Sequence, residues 1–134
     1  MTNAVFLDTV GLLALWNRRD QWHTKAKSAF SEIVASHRRL ITTSHVLMEC
    51  GNASARHPYR NLVVALRKEM LASGDLFDPT QEEVDEAWRI YGEAGSGQAG
   101  IVDQISFSVM RREGITLVFS NDSHFRDAGF ETLF

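Results

Sequence analysis

The sequence predicts an α/β sandwich built on a mainly parallel sheet, and three observations carry that prediction. Short apolar runs at Ala4–Leu7 and Ile115–Phe119 have the composition of strands buried on both faces. Between and around them lie stretches with apolar residues at helical spacing, so that strands and helices alternate. The length of 134 residues is one domain's worth, spanning 1–134, and too little for two ordinary domains.

Each element has a local cause. Ala4-Val5-Phe6-Leu7 is a strand that ends in Asp8, and Thr9 to Trp16 is apolar at helical spacing. Arg18-Arg19-Asp20-Gln21 is a charged connection to a helix from His23 to about Ser36, with Ala26, Phe30, Ile33 and Val34 as its apolar stripe. Leu40 to Thr43 predicts a second strand. Ser44 is placed to cap a helix carrying Val46, Leu47, Glu49, Cys50 and Ala53. Proline suits a first helical turn, so the next helix is expected from Pro58 to about Ser73, stopping at Gly74, with Leu62, Leu66 and Met70 one turn apart. Leu76-Phe77 reads as a brief strand. Thr80-Gln81-Glu82-Glu83 is a capping box, followed by Val84, Ala87, Trp88 and Tyr91 on one helical face. The stretch Gly95 to Gly100 lacks the Gly-Lys-Ser/Thr ending of a phosphate-binding loop and predicts a connection. A helix from about Ile101 to Glu113 ends at Gly114. The Ile115–Phe119 strand, a helical turn at His124 to Asp127 and a last strand near Glu131 to Phe134 complete the chain.

Composition narrows the class. A chain that is 44% hydrophobic and 23% charged is not expected to be disordered. A net charge of -3 argues against coating nucleic acid by overall positive charge, while leaving room for a local basic groove. The single cysteine, Cys50, excludes a disulfide scaffold and a cysteine-rich zinc module, and is expected to be a small buried apolar group. No apolar run approaches the roughly 20 residues that span a bilayer, and the first residues lack a signal-peptide pattern. These features lead to the expectation of a soluble cytoplasmic domain with no membrane partner.

Four carboxylates stand in unusual places. Asp8 follows the first strand, and Asp122 follows the Ile115–Phe119 strand; in parallel sheets the C-terminal strand ends line the ligand crevice. Glu49 is expected on the apolar face of its helix with Val46, Cys50 and Ala53, and Asp103 on a face with Phe107 and Met110. A charge on a core-facing stripe is costly unless it is paired or binds a metal. Each acid also has an ordinary explanation. Asp8 and Asp122 can cap the helices that follow them, Asp103 suits a helix N-terminus, and Glu49 can pair with an arginine or reach water.

If the four converge, their mutual repulsion is relieved by a divalent cation, and all-oxygen ligands select Mg²⁺ or Mn²⁺ over zinc. Metal-assisted hydrolysis of a phosphodiester is the chemistry such a site supports.

The motifs as a set resemble PIN-domain ribonucleases, and most closely the VapC-type toxins of bacterial toxin–antitoxin pairs. The matching blocks are Val5-Phe6-Leu7-Asp8-Thr9 with Leu13-Ala14-Leu15, Thr42 to Glu49, Ile101 to Phe107 leading into Met110 to Ile115, and Ser120-Asn121-Asp122-Ser123-His124-Phe125 with Gly129-Phe130. The resemblance implies a sheet of order 3-2-1-4-5 and a Mg²⁺-dependent endoribonuclease. It makes Asp8 and Asp103 the metal ligands, with Glu49 and Asp122 completing a catalytic quartet and the Thr9 and Ser120 hydroxyls supporting it. It also implies an RNA substrate, a cognate antitoxin and a homodimer. Position 120 is more often threonine in that family, and Gly100 stands where a serine or threonine cap is common. Neither departure removes an acid.

Other residues carry weaker signals. His124 can contact RNA phosphate or pack against the sheet. His45 and Glu49 lack the rest of a zinc motif. Arg18, Arg19, Arg111 and Arg112 can meet phosphate or solubilise the surface, and Trp16, Trp22 and Trp88 can stack on bases or fill the core. Two alternatives compete: a non-catalytic PIN-like RNA- or protein-binding module, and a phosphatase or receiver domain using Asp8 as nucleophile. The second lacks an acid two residues after Asp8, where Val10 stands, and a lysine beyond Lys68.

Overall fold

The structure is a computed structural model that describes residues 3–134; the first two residues of the expected domain lie outside the described part. Strand β1 (Ala4–Leu7) is flanked by β2 (Arg39–Ile41) and β3 (Leu117–Phe119), and β4 (Glu131–Thr132) pairs with β3. All pairings are parallel and the order is β2-β1-β3-β4. The helices are α1 (Thr9–Trp16), α2 (His23–Ala35), α3 (Ser44–Ala53), α4 (Arg60–Ser73), α5 (Gln81–Glu93), α6 (Ile101–Glu113) and α7 (Ser123–Asp127). The predicted α/β sandwich is therefore present, with β1 buried at every position.

The expected edge strand at Leu76-Phe77 shrinks to a single parallel bridge between Leu76 and Thr42. Its neighbours explain this. Asp75 is drawn into an ion pair with Arg39, Asp78 turns away to bind the Ser44 amide and hydroxyl, and Pro79 has no N–H to extend a ladder. With that bridge counted as a strand, the order is the expected 3-2-1-4-5.

Local signals hold in most places. Thr80 and Glu83 form the reciprocal capping box of α5, and Gly74 and Gly114 end α4 and α6 in the left-handed region at φ 75° and 68°. Three details differ. Thr43, not Ser44, caps α3, because Ser44 is engaged by Asp78. Helix α4 begins at Arg60 rather than Pro58, with His57 to Tyr59 in turns. Its buried residues are Val63 and Met70, while Leu62 is exposed. On α5, Ala87 is buried but Trp88 and Tyr91 stand in solvent as an edge-to-face pair.

The core lies on both faces of the sheet. Phe6, Phe119 and Phe125 are fully buried, and the Phe107 ring meets Phe125 edge-on at 5.0 Å. Each such side chain contributes roughly 2–3 kcal/mol of apolar burial. Helix α1 crosses the end of β3 so closely that a Cβ on Gly11 would lie 2.0 Å from the Phe119 carbonyl oxygen. That contact brings the start of α1 against the end of β3. Nothing in the residues adjacent to Gly11 marks this close approach.

Candidate active site

The site is assembled by sheet register. Leu7 pairs with Phe119, so the next residues, Asp8 and Ser120, emerge side by side at the strand ends. Ser120 Oγ donates to Asp8 Oδ2 at 2.8 Å, and the Val10 amide donates to the same oxygen at 3.2 Å. Oδ1 of Asp8 is left for another partner. Thr42 Oγ1 donates to the Leu7 carbonyl at 2.7 Å and ties β2 to the same strand end.

Ser120 Oγ also accepts the Asp122 amide at 3.1 Å, and Asp122 Oδ1 accepts the His124 amide at 2.9 Å. Asp8 and Asp122 are thus helix caps, as their ordinary readings required, and acids of the cluster at the same time. Asp103, in the first turn of α6, accepts the Gly100 amide through Oδ2 at 3.3 Å. Oxygens of Asp103 and Asp122 and a ring nitrogen of His124 lie within 4.8 Å of one another. His124 is held from both sides. Its Nδ1 is 3.1 Å from Asp122 Oδ1, and its Nε2 is 3.0 Å from the Gly97 carbonyl, which fastens the glycine-rich connection to this corner.

Glu49 differs from its expected place. It is exposed, not on the buried stripe of α3, which is Val46, Leu47 and Cys50. The spacing to Val46 and Cys50 put it on their face, but Ala53, the third member of that set, is exposed too. Glu49 instead turns toward α1, where Thr9 Oγ1 donates to its Oε1. It remains part of the cluster, since its charge helps raise the pKa of Asp103.

Burial and repulsion act together here. Asp8 is 1% exposed, and desolvation followed by the charge of Asp103 pushes its pKa from 3.8 to about 7. The Ser120 hydrogen bond opposes that rise. Asp103 is pushed up to about 6, first by desolvation and then by the charge of Asp122. Among the described residues no lysine or arginine forms an ion pair with Asp8, Glu49, Asp103 or Asp122. Carboxylates held this close with no lysine or arginine paired to them, and only the His124 ring beside Asp122, suit a divalent cation: their free oxygens are hard donors, and a bound cation would reverse the pKa shifts. Cys50 is inert beside them, its thiol pushed up to about 12 by burial.

The structure also sorts the remaining candidates. Arg112 pairs with Glu83 and Glu113, and Arg111 lies over the Phe107 and Phe130 rings while donating to the Ala128 carbonyl. Arg18 and Arg19 have no such partners among the described residues. Trp16 is half-buried, and Trp22 lies under the Lys25 ammonium at 5.1 Å.

Comparisons with known proteins agree with this architecture. The chain is 28% identical over 127 residues to the 23S rRNA-specific endonuclease VapC20 of Mycobacterium tuberculosis, in both the CDC 1551/Oshkosh and the ATCC 25618/H37Rv strains, covering 94% of this chain and 95% of that protein. It superimposes on the crystal structure of Mycobacterium tuberculosis VapC20, described as a sarcin-ricin loop cleaving toxin, with a TM-score of 0.76 and 26% identity, covering 95% of this chain and 96% of the other. The profile of the PIN domain matches residues 5–131. With that match across nearly its whole length, the chain belongs to the PIN domain family.

Proposed function

We propose that this protein is a Mg²⁺- or Mn²⁺-dependent endoribonuclease, the toxin of a toxin–antitoxin pair, acting as a homodimer in the cytoplasm. The observation that carries the reading is the meeting of four acids from four parts of the chain with, among the described residues, no lysine or arginine paired to them. Asp8 through Oδ1 and Asp103 through its free oxygen are the residues to hold the cation. When bound, it supplies a water of lowered pKa and stabilises charge on the phosphate oxygens. Glu49, fixed by Thr9, orients the attacking water and takes up its proton. Asp122, held by the His124 amide and ring, completes the acidic corner, and the Ser120 hydrogen bond favours the ionised form of Asp8 against the burial that opposes it.

Because the relative is a 23S rRNA-specific endonuclease, a large-subunit ribosomal RNA loop is the first substrate to test. The decisive assay compares wild type and Asp8→Asn on such an RNA, with Mg²⁺ and with EDTA. Cleavage that needs both Asp8 and the metal is expected. Cleavage that survives either change would overturn the assignment, and its absence in wild type would favour the non-catalytic module. A neighbouring reading frame for a short DNA-binding antitoxin, and a dimer in sedimentation, test the two partner proposals.

A further inference from the structure

A cleft of about 670 Å³ opens at the far end of α1 from the acids. Trp16, Arg18 and Arg19 form one wall, and His57, Tyr59 and Leu62 the other; no acidic residue lines it. The His57 and Tyr59 rings are stacked at 4.9 Å with an angle of 8° between them across the Pro58 turn, leaving the outer ring faces for a further planar group. Its size falls within the range of roughly 300–1,000 Å³ typical of ligand clefts.

Two cationic side chains lie beside this cleft, whereas Trp22, another exposed aromatic, has the single Lys25 ammonium over its ring. Trp88 and Tyr91 lie beside Arg89, but that arginine is taken by Glu86 and Glu93. Arg39 is taken by Asp75, and Arg112 by Glu83 and Glu113. At the cleft, by contrast, the Arg18 and Arg19 side chains are exposed and without a carboxylate partner among the described residues. In a chain of net charge -3, a pair of arginines without carboxylate partners beside stacked rings offers cations suited to phosphate and ring faces suited to bases.

We propose that this cleft is a second RNA subsite, which binds a single-stranded segment flanking the scissile phosphate. Bases of that segment stack on the His57–Tyr59 surface and Trp16, and its phosphates meet Arg18 and Arg19. The proposal rests on the nuclease reading above and extends it from the acids to the substrate's path. That path is short. Asp8 caps the N-terminus of α1 and Trp16 ends it, so the two lie about 12 Å apart along the helix axis. Helix α3, which carries Glu49 and packs on α1, leads through its C-terminal turns into His57 and Tyr59. One strand of RNA can therefore follow the α1–α3 face from the acids to the cleft.

The test measures binding without cleavage, so it is read independently of whether the acids cut RNA. The wild-type chain in EDTA is titrated against a fluorescein-labelled, unstructured oligoribonucleotide over a series of salt concentrations, with anisotropy as the readout. Arg18→Gln with Arg19→Gln should weaken binding roughly tenfold and flatten the log–log salt slope by about 1.4, the loss of two single-strand phosphate contacts. Arg18→Lys with Arg19→Lys should recover the slope. Tyr59→Leu should weaken binding by about fivefold or more while leaving the slope unchanged. Wild-type affinity and slope in the double glutamine variant would overturn the proposal, as would absence of binding by wild type. If that variant keeps its RNA affinity but no longer binds the antitoxin, the cleft is a protein dock and the proposal fails. A failure of wild type to cleave in Mg²⁺ would count against the nuclease reading alone.

Discussion

Ser120 Oγ stands between two acids of the site, donating to Asp8 Oδ2 at 2.8 Å and accepting the Asp122 amide at 3.1 Å. A hydroxyl that donates to a carboxylate favours its ionised form, and this bond opposes the burial that raises Asp8. Ser120→Ala is expected to lift the Asp8 pKa further above about 7. The pH below which Mg²⁺ binding is lost, as protons compete for this carboxylate, should then move upward by on the order of one unit. A midpoint of metal binding that stays in place would show that another group controls it.

The raised pKa of Asp8 also predicts how the metal-free protein responds to pH. Unfolded, the group titrates near 3.8; folded, near 7. Between those values the folded state holds a proton that the unfolded state has lost, so stability falls as pH rises through this window. Asp8→Asn removes the ionisation and keeps an oxygen able to accept from Ser120 and Val10. In EDTA it should stabilise the protein by on the order of 2–4 kcal/mol at pH 8, with no gain below pH about 4. Denaturant melts at the two pH values measure this. Mg²⁺ should stabilise wild type and not the variant. A wild type as stable as Asp8→Asn at pH 8 in EDTA would contradict the buried, repelled carboxylate.

Thr9 gives a separate handle on Glu49. Thr9 is buried and donates to Glu49 Oε1, so Thr9→Val keeps the shape and deletes the bond. A residue that orients another in this way typically matters by roughly 10–100-fold, and kcat should fall within that range with little change in melting temperature. Unchanged single-turnover cleavage would detach Glu49 from the chemistry.

Gly11 tests the packing that brings α1 onto β3. A methyl group there meets the Phe119 carbonyl, which as backbone in a central strand cannot move aside. Gly11→Ala should cost about 3 kcal/mol or more and weaken the site indirectly by separating Asp8 from Ser120. Chemical denaturation decides it: a loss under about 1 kcal/mol would show that the helix shifts easily.

The extent of what was legible from residue order follows from range. Strand β1, helices α1 and α6, the Thr80–Glu83 capping box and the glycine stops at 74 and 114 all depend on neighbours within about four positions. Motif content added the convergence of the four acids as an expectation. Helix α3 shows the limit. Periodicity located its apolar residues but not how the helix is rotated against α1, and that rotation sends Glu49 to the open side of the site. The exposed Trp88 and Tyr91 miss for the same reason, since an amphipathic face is only core where another element covers it.

Residue order by itself determined an alternating α/β chain with acids at strand ends and helix starts, because hydrophobic spacing, caps and turn glycines act locally. Tertiary structure alone decided that Asp8 lies beside Ser120, 112 positions away, that Leu76 contributes one bridge instead of a strand, and that Arg18 and Arg19 stand at an aromatic cleft with no carboxylate partner among the described residues. Sheet register and helix packing set those relations, and both are collective outcomes of burying the core rather than properties of any short segment.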